Sequence, residues 1–189
     1  MLSEEKRINN KRQLKEWLTY ELRHYPKGLK TLLPSESAIL RKHQILLRRT
    51  EYYTNTGNCV MMLWYRFRLN SVQNRYALHI PANTCGKGLH IMHVGPVLIN
   101  GGATVGENCS IHINTSIVAG GTSGEVPTLG DGVVVGVGAV VLGGVFVANY
   151  TAIGANAVVN KDVREENIAV AGVPAKKISN NGSKEWNKR

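Results

Sequence analysis

The sequence predicts a mainly β chain: a three-faced parallel β-helix of six-residue repeats, with an N-terminal α-helical segment. Three observations carry this prediction. An aliphatic residue recurs at every sixth position through the second half of the chain. Glycine, at 20 of 189 residues, stands at about one and a half times its usual ~7% share, while aromatics make up only 6%. The charge is divided, since residues 1–75 hold 15 Lys+Arg against 6 Glu and residues 76–189 hold 8 against 7 Asp+Glu. A chain of 189 residues suits one core domain with a small helical appendage. With 43% hydrophobic and 19% charged residues, collagen-like, disordered and multi-span membrane classes fall away. The expected organisation is a helical segment over 1–75, a β-helix domain over 76–179 and a polar tail over 180–189.

The helical segment follows from apolar spacing. Ile8, Leu14, Trp17, Leu18 and Leu22 lie near one face of a helix from Glu4 to Arg23, which Pro26 and Gly28 would end. A second helix is expected after Pro34, capped by Ser35 or Ser37 and running through Ile39, Leu40, Ile45, Leu46 and Leu47 towards Tyr53. Asn55 to Asn58, with Gly57, breaks it, and Cys59 to Asn70 reads as a core helix rich in Met, Trp, Tyr and Phe. The basic charge of this segment falls at helical intervals, as on a solvated helix face, and no nucleic-acid motif accompanies it. Cys59, Cys85 and Cys109 are odd in number with no CxxC, which suits free thiols in a reducing cytosol. Charges throughout residues 1–30 leave no apolar leader, and Cys59 to Trp64 is far short of the ~20 residues of a membrane span. A cytoplasmic location is expected.

The six-residue rhythm runs Val105, Ile111, Ile117, Leu129, Val135, Val141, Val147, Ile153 and Val159, with one beat missed at Ser123. Cys109, Thr115, Val133, Ala139, Val145, Thr151, Ala157 and Val163 form a second track of small or β-branched residues. Period six is neither helix nor simple strand. It fits a prism whose three faces take one hexapeptide each, with the aliphatic residue inward and glycine at the corners. The end coils then need covering, and the helices are the natural cap at one end. Around the missed beat, residues 120–127 are too polar and Gly-rich for a prism face and are expected to form a loop beside the body.

On specific motifs the chain resembles the hexapeptide-repeat acyltransferases, in the branch of serine O-acetyltransferases and surface-polysaccharide O-acetyltransferases. The resemblance rests on Ile80-Pro81-Ala82-Asn83, Gly86 through Gly95 with His90 and His93, Ile99-Asn100, Val105 through Cys109, and the closing Ala171-Gly172-Val173-Pro174-Ala175-Lys176-Lys177-Ile178. It implies a left-handed parallel β-helix assembled as a homotrimer or a dimer of trimers, with acetyl-CoA as co-substrate and no metal. It implies His93 as the base that takes a proton from an acceptor hydroxyl attacking the thioester, a task suited to a group with a pKa near neutrality. It further implies that Val137 and Ala155 line the pantetheine groove between subunits and that Gly120, Gly121 and Thr122 border it. Asn160 and Lys161 would contact the coenzyme, and Lys176 and Lys177 would meet its phosphates.

Two departures bear on the acceptor. The serine enzymes carry aspartates fifteen positions before the base and immediately before it, where this chain has Leu78 and Met92. Their absence points away from serine, while the Ile80-Pro81 and Gly86-Lys87-Gly88-Leu89-His90-Ile91-Met92-His93 pattern and the short helical N-terminus resemble the polysaccharide-modifying branch, which implies a sugar hydroxyl in surface-polysaccharide assembly as acceptor, with serine O-acetylation as the alternative. The missing aspartates leave Glu107, Asp131 or a backbone carbonyl to orient His93. A remoter alternative is a metal-dependent hydratase of the carbonic-anhydrase type, with His79, His90, His93 and His112 as candidate ligands. Peripheral contact of Lys6–Arg23 with a membrane-bound acceptor is compatible with the basic segment, whereas a nucleic-acid partner is not expected.

Overall fold

The computed structural model describes residues 1–25 and 35–185. The expected helix ends at Pro26, Gly28 and Pro34 lie outside the described residues. The N-terminal segment is not one helix. A 3-10 turn at Glu4–Lys6 is followed by α1 (Lys11–Glu21) and a second 3-10 turn at Leu22–His24. The break falls at Asn10, whose extended backbone (φ −149°) lets its side chain accept from Gln13 N–H at 2.9 Å and cap α1. Helix α2 (Glu36–Asn55) is capped by Ser35, whose side chain accepts from Ala38 N–H at 3.3 Å. Helix α3 (Cys59–Tyr76) outruns its predicted end by two turns and stops where Ala77 turns left-handed at φ 55°. Its expected core role is partial, since Tyr65, Leu69 and Val72 are buried while Val60, Leu63, Trp64 and Phe67 are exposed.

From Leu78 the chain winds as a three-faced coil of short parallel strands. Face one stacks β1 (Leu78–His79), β3 (Val97–Ile99), β6 (Thr115–Val118), β9 (Val140–Leu142) and β12 (Val158–Val159). Face two stacks β4 (Thr104–Val105), β7 (Thr128–Leu129) and β10 (Phe146–Val147). Face three stacks β2 (His90–Ile91), β5 (Ser110–Ile111), β8 (Val134–Val135), β11 (Ala152–Ile153) and β13 (Ala169–Ala171), closed by antiparallel β14 (Lys176–Ser179). All nine aliphatic beats from Val105 to Val159 point inward, none more than 2% exposed. Where the rhythm is unbroken, paired residues are eighteen apart, as in Val134 with Ala152 and Val140 with Val158. Across the missed beat they are 24 apart, as in Ser116 with Val140 and Thr104 with Thr128. The extra six residues emerge in the loop over 119–127, whose Gly121–Glu125 stretch is exposed.

The corners make two demands. Left-handed backbone is shared between asparagine and glycine, with Asn83, Asn108, Asn114, Asn156 and Asn167 at φ between 53° and 63° and Gly88, Gly132 and Gly138 at φ between 66° and 83°. The glycines after the aliphatic beats answer a different need, which is room. A Cβ on Gly106 would stand 2.5 Å from the Gly130 carbonyl of the next coil. One on Gly136 would stand 2.6 Å from the Ile153 oxygen.

The first coil leaves an edge of strand N–H and C=O groups with no coil beneath it, and side chains of the helices satisfy it. Arg48, fully buried, donates to the carbonyls of Cys85 (2.9 Å) and Gly86 (2.7 Å). The same guanidinium is clamped by Glu21 at 2.8 Å and Glu51 at 2.9 Å, both buried. Those carboxylates turn to the prism as well: Glu21 accepts from Gly88 N–H and Glu51 from Asn83 N–H, at 2.8 and 2.9 Å. Gln73 donates to the Ile80 carbonyl at 2.7 Å. Burial works against the charge on Arg48, but the two carboxylates outweigh it and hold the guanidinium more firmly protonated. The solvated-face reading of the basic segment therefore fails at this residue, because Arg48 faces the prism.

This packing generates two expected outcomes. Gly106→Ala should cost about 1–3 kcal/mol and so lower the thermal midpoint by several degrees, read by differential scanning calorimetry. His43 is fully buried, and burial pushes its imidazole down from 6.5 to about 4, against a pull upward from the Leu78 backbone. A depressed folded-state pKa means that the stability is complete above pH 6.5 and is lost as pH falls from there towards 4, by roughly 3 kcal/mol. The thermal midpoint should fall over that window, with a shallower slope in His43→Leu.

Candidate active site

The corner between faces three and one carries His93. On later coils this corner is tight, and the inward residues Ile111 and Ile117 that flank it are six apart. On the first coil the inward residues are Ile91 and Ile99, eight apart. Two extra residues widen the corner over 92–96 and turn His93 outward, its side chain 55% exposed. Counting sixes back from Val105 puts a beat on His93, but the true inward residue is Ile91, so the rhythm breaks at this histidine. Gly95 lets the widened corner rest on the next coil, where a Cβ would meet Ile113 Cγ2 at 3.0 Å.

Among the described residues, Glu36 and His112 interact with the ring. Glu36 is the opening residue of α2; its Oε1 lies 3.3 Å from His93 Nδ1 and accepts from Val94 N–H at 2.7 Å. His112 stands on the next coil, half-buried, its pKa lowered by burial and by the proximity of His93. Neither carboxylate expected to orient His93 is present: Asp131 instead accepts from Glu107 N–H at 2.8 Å on the corner between faces two and three. Sequence reasoning missed Glu36 because its contact spans 57 residues. The acidic first turn of a capped helix is visible in the sequence, but its direction is not.

The expected coenzyme residues fall at three places. Val137 and Ala155 sit on the same corner as His93, exposed and one coil apart, with Asn156 N–H donating to the Val137 carbonyl at 2.8 Å. A groove on face three runs beside them, lined in part by His112, Gly136, Gly154 and Ala155. Gly120, Gly121 and Thr122 lie in the loop at the other edge of face one, and Asn160 and Lys161 leave β12 at that same edge. Lys176 and Lys177 lie on β14, where Lys177 is paired with Glu165. A single chain thus brings His93, Val137 and Ala155 to one corner and carries the loop, Asn160 and Lys161 on the far side of face one. Among the described residues no three His, Cys, Asp or Glu side chains converge to hold a metal ion, so the four histidines of the hydratase alternative do not form a ligand set within one chain. Cys59, Cys85 and Cys109 are free, and burial pushes the Cys85 thiol up to about 12 and that of Cys109 upward as well. Among the described residues no helix is long and apolar enough to cross a membrane.

No family model matches the chain. Curated relatives do. The chain is 34% identical over 145 residues to a serine acetyltransferase of Buchnera aphidicola, a match covering 74% of the chain and 51% of that protein. It is 40% identical over 103 residues to a serine acetyltransferase of Helicobacter pylori strain J99, covering 52% of the chain and 58% of that protein. The chain spans about half the length of the curated relatives it matches. Among solved structures, a serine acetyltransferase from Brucella abortus superposes with a TM-score of 0.68 at 24% identity, covering 92% of the chain and 72% of that protein. The same Brucella enzyme in complex with coenzyme A superposes at 0.62 with 23% identity, over 90% of the chain and 68% of that protein. The likeness shows the fold: a left-handed parallel β-helix with an N-terminal helical segment.

These findings support the resemblance to the hexapeptide-repeat acyltransferases, and the relatives found are those of its serine acetyltransferase branch. The expected sugar acceptor of surface-polysaccharide assembly is overturned, because the relatives found are consistently serine acetyltransferases. The expectation rested on the two missing aspartates and on the likeness of the His93 motif and the short helical segment to the polysaccharide-modifying branch. Leu78 is fully buried in the inward row of the prism and Met92 is half-buried, so neither position offers a carboxylate. A carboxylate reaches His93 nonetheless, from α2.

Proposed function

We propose that the chain is an acetyl-CoA-dependent serine O-acetyltransferase with His93 as its general base. The sequence relation to serine acetyltransferases, over 145 residues in the Buchnera aphidicola protein, carries this reading. The position of His93 supports it: an exposed imidazole on a widened corner, above the exposed Val137 and Ala155 of later coils.

In this mechanism Nδ1 faces Glu36 and Nε2 faces the acceptor. Nε2 takes the proton from the serine hydroxyl as its oxygen bonds to the thioester carbonyl carbon. The carbon–sulfur bond then breaks, and the imidazolium returns that proton to the leaving thiolate, giving O-acetylserine and coenzyme A. Developing negative charge on the carbonyl oxygen calls for a fixed N–H donor nearby. The exposed Val137 and Ala155, eighteen residues apart on one corner, fit a long, narrow pantetheine arm lying along the prism axis. Lys161, Lys176 and Lys177 supply cations for its phosphates, Lys177 exchanging Glu165 for a phosphate oxygen. The split of the site across the two edges of face one is met by a homotrimer, in which the loop, Asn160 and Lys161 of one copy border the His93 corner of the next. A reducing cytoplasm suits the three free thiols.

Purified chain should release thiol from acetyl-CoA in the presence of serine, followed with a thiol-reactive dye. His93→Ala should lower kcat by a factor of about 10²–10⁴. No serine-dependent release by the wild type, or undiminished release by the variant, would overturn the reading.

A further inference from the structure

The geometry points to Glu36 as the positioning residue of the base: a carboxylate delivered by the helical cap, in place of one on the prism, to hold His93 by Nδ1. This deepens the reading of His93 as the base and rests on it. Glu36 Oε1 stands 3.3 Å from Nδ1 and is itself fixed by the Val94 N–H at 2.7 Å, so the carboxylate is anchored to the backbone of the corner it serves. The corner contributes no acidic residue of its own, since residues 92–96 are Met, His, Val, Gly and Pro. The residue fifteen before the histidine, Leu78, is buried inward among the aliphatic rows. Glu36 is the first residue of α2, the end of the helix that meets the corner. A carboxylate on Nδ1 selects the tautomer with its proton there. Nε2 is left as the acceptor, and the imidazolium formed during transfer is stabilised. Among the described residues the further titratable group facing the ring is His112, which burial and His93 both bias towards neutrality.

The test uses Glu36→Gln and Glu36→Ala in the full chain. Each is read by steady-state kinetics with acetyl-CoA and serine, and by nitrogen-15 NMR of the His93 ring, which reports which nitrogen of the neutral imidazole carries the proton. The wild type should hold the proton on Nδ1, and Glu36→Ala should lose that preference. Glu36→Gln should reduce kcat about tenfold, leave KM for acetyl-CoA unchanged and leave the thermal midpoint within a few degrees. The same His93 tautomer in the wild type and in Glu36→Ala would overturn the assignment. So would an effect confined to KM for serine, which would make Glu36 a substrate contact. If the wild type shows no serine-dependent turnover, the functional reading fails, and the ring NMR alone decides the pairing: loss of the Nδ1–H tautomer in Glu36→Ala upholds it and no change overturns it.

Discussion

A stacked-coil fold must satisfy the backbone of its first coil, which has no coil beneath it. Here the partner is polar side chains from three helices, and the Arg48 guanidinium stands at their centre. It bridges two buried carboxylates and two strand carbonyls, while the carboxylates reach back to strand amides. Buried ion pairs contribute little net stability, yet removing one partner leaves a buried charge uncompensated at a cost of about 3–5 kcal/mol. The network therefore fixes where α1 and α2 can sit more than it adds to the strength of the fold. The rest of the molecule depends on that placement.

Its functional consequence lies along α2. Glu36 precedes Arg48 by twelve residues on the same helix, roughly 18 Å of rise at 1.5 Å per residue. With Arg48 locked under Cys85 and Gly86, the start of α2 is delivered to the widened corner beside His93. The helical segment is thus both a cover for a strand edge and a source of a side chain at the site. On the proposed reading the prism supplies the histidine and the coenzyme track, the cap supplies the carboxylate, and a neighbouring copy closes the groove.

Much of the fold is legible in the sequence because period six leaves a direct trace. Each beat from Val105 to Val159 is a buried aliphatic, and the missed beat at Ser123 marks a real insertion of one hexapeptide. Legibility fails where a rule is local and its exception is tertiary. The count back to His93 slips by two because a corner can widen without disturbing the inward residues on either side. Trp17 is buried as the helical pattern implies, but Glu21, one turn on, is buried with it only because Arg48 arrives from another helix. Within the candidate site, His93 is visible through its motif and the company of Val137 and Ala155 through their spacing of eighteen. Glu36 is not, since nothing short of the packing of α2 brings residue 36 to residue 93. The two aspartates are indeed missing at Leu78 and Met92, but their absence does not decide the acceptor, because a carboxylate can reach the histidine from another element.

The cap docks α2 on the prism so that Glu36 engages the His93 corner, and one amide reports it. The Val94 N–H lies on an exposed corner, with the Glu36 carboxylate as its partner. Hydrogen exchange at that amide should be slowed by on the order of 100-fold or more relative to an unstructured peptide, as for a hydrogen bond broken only by local opening. Exchange of Val94 at the unstructured rate in the intact chain would show that α2 does not hold the corner and would contradict this docking.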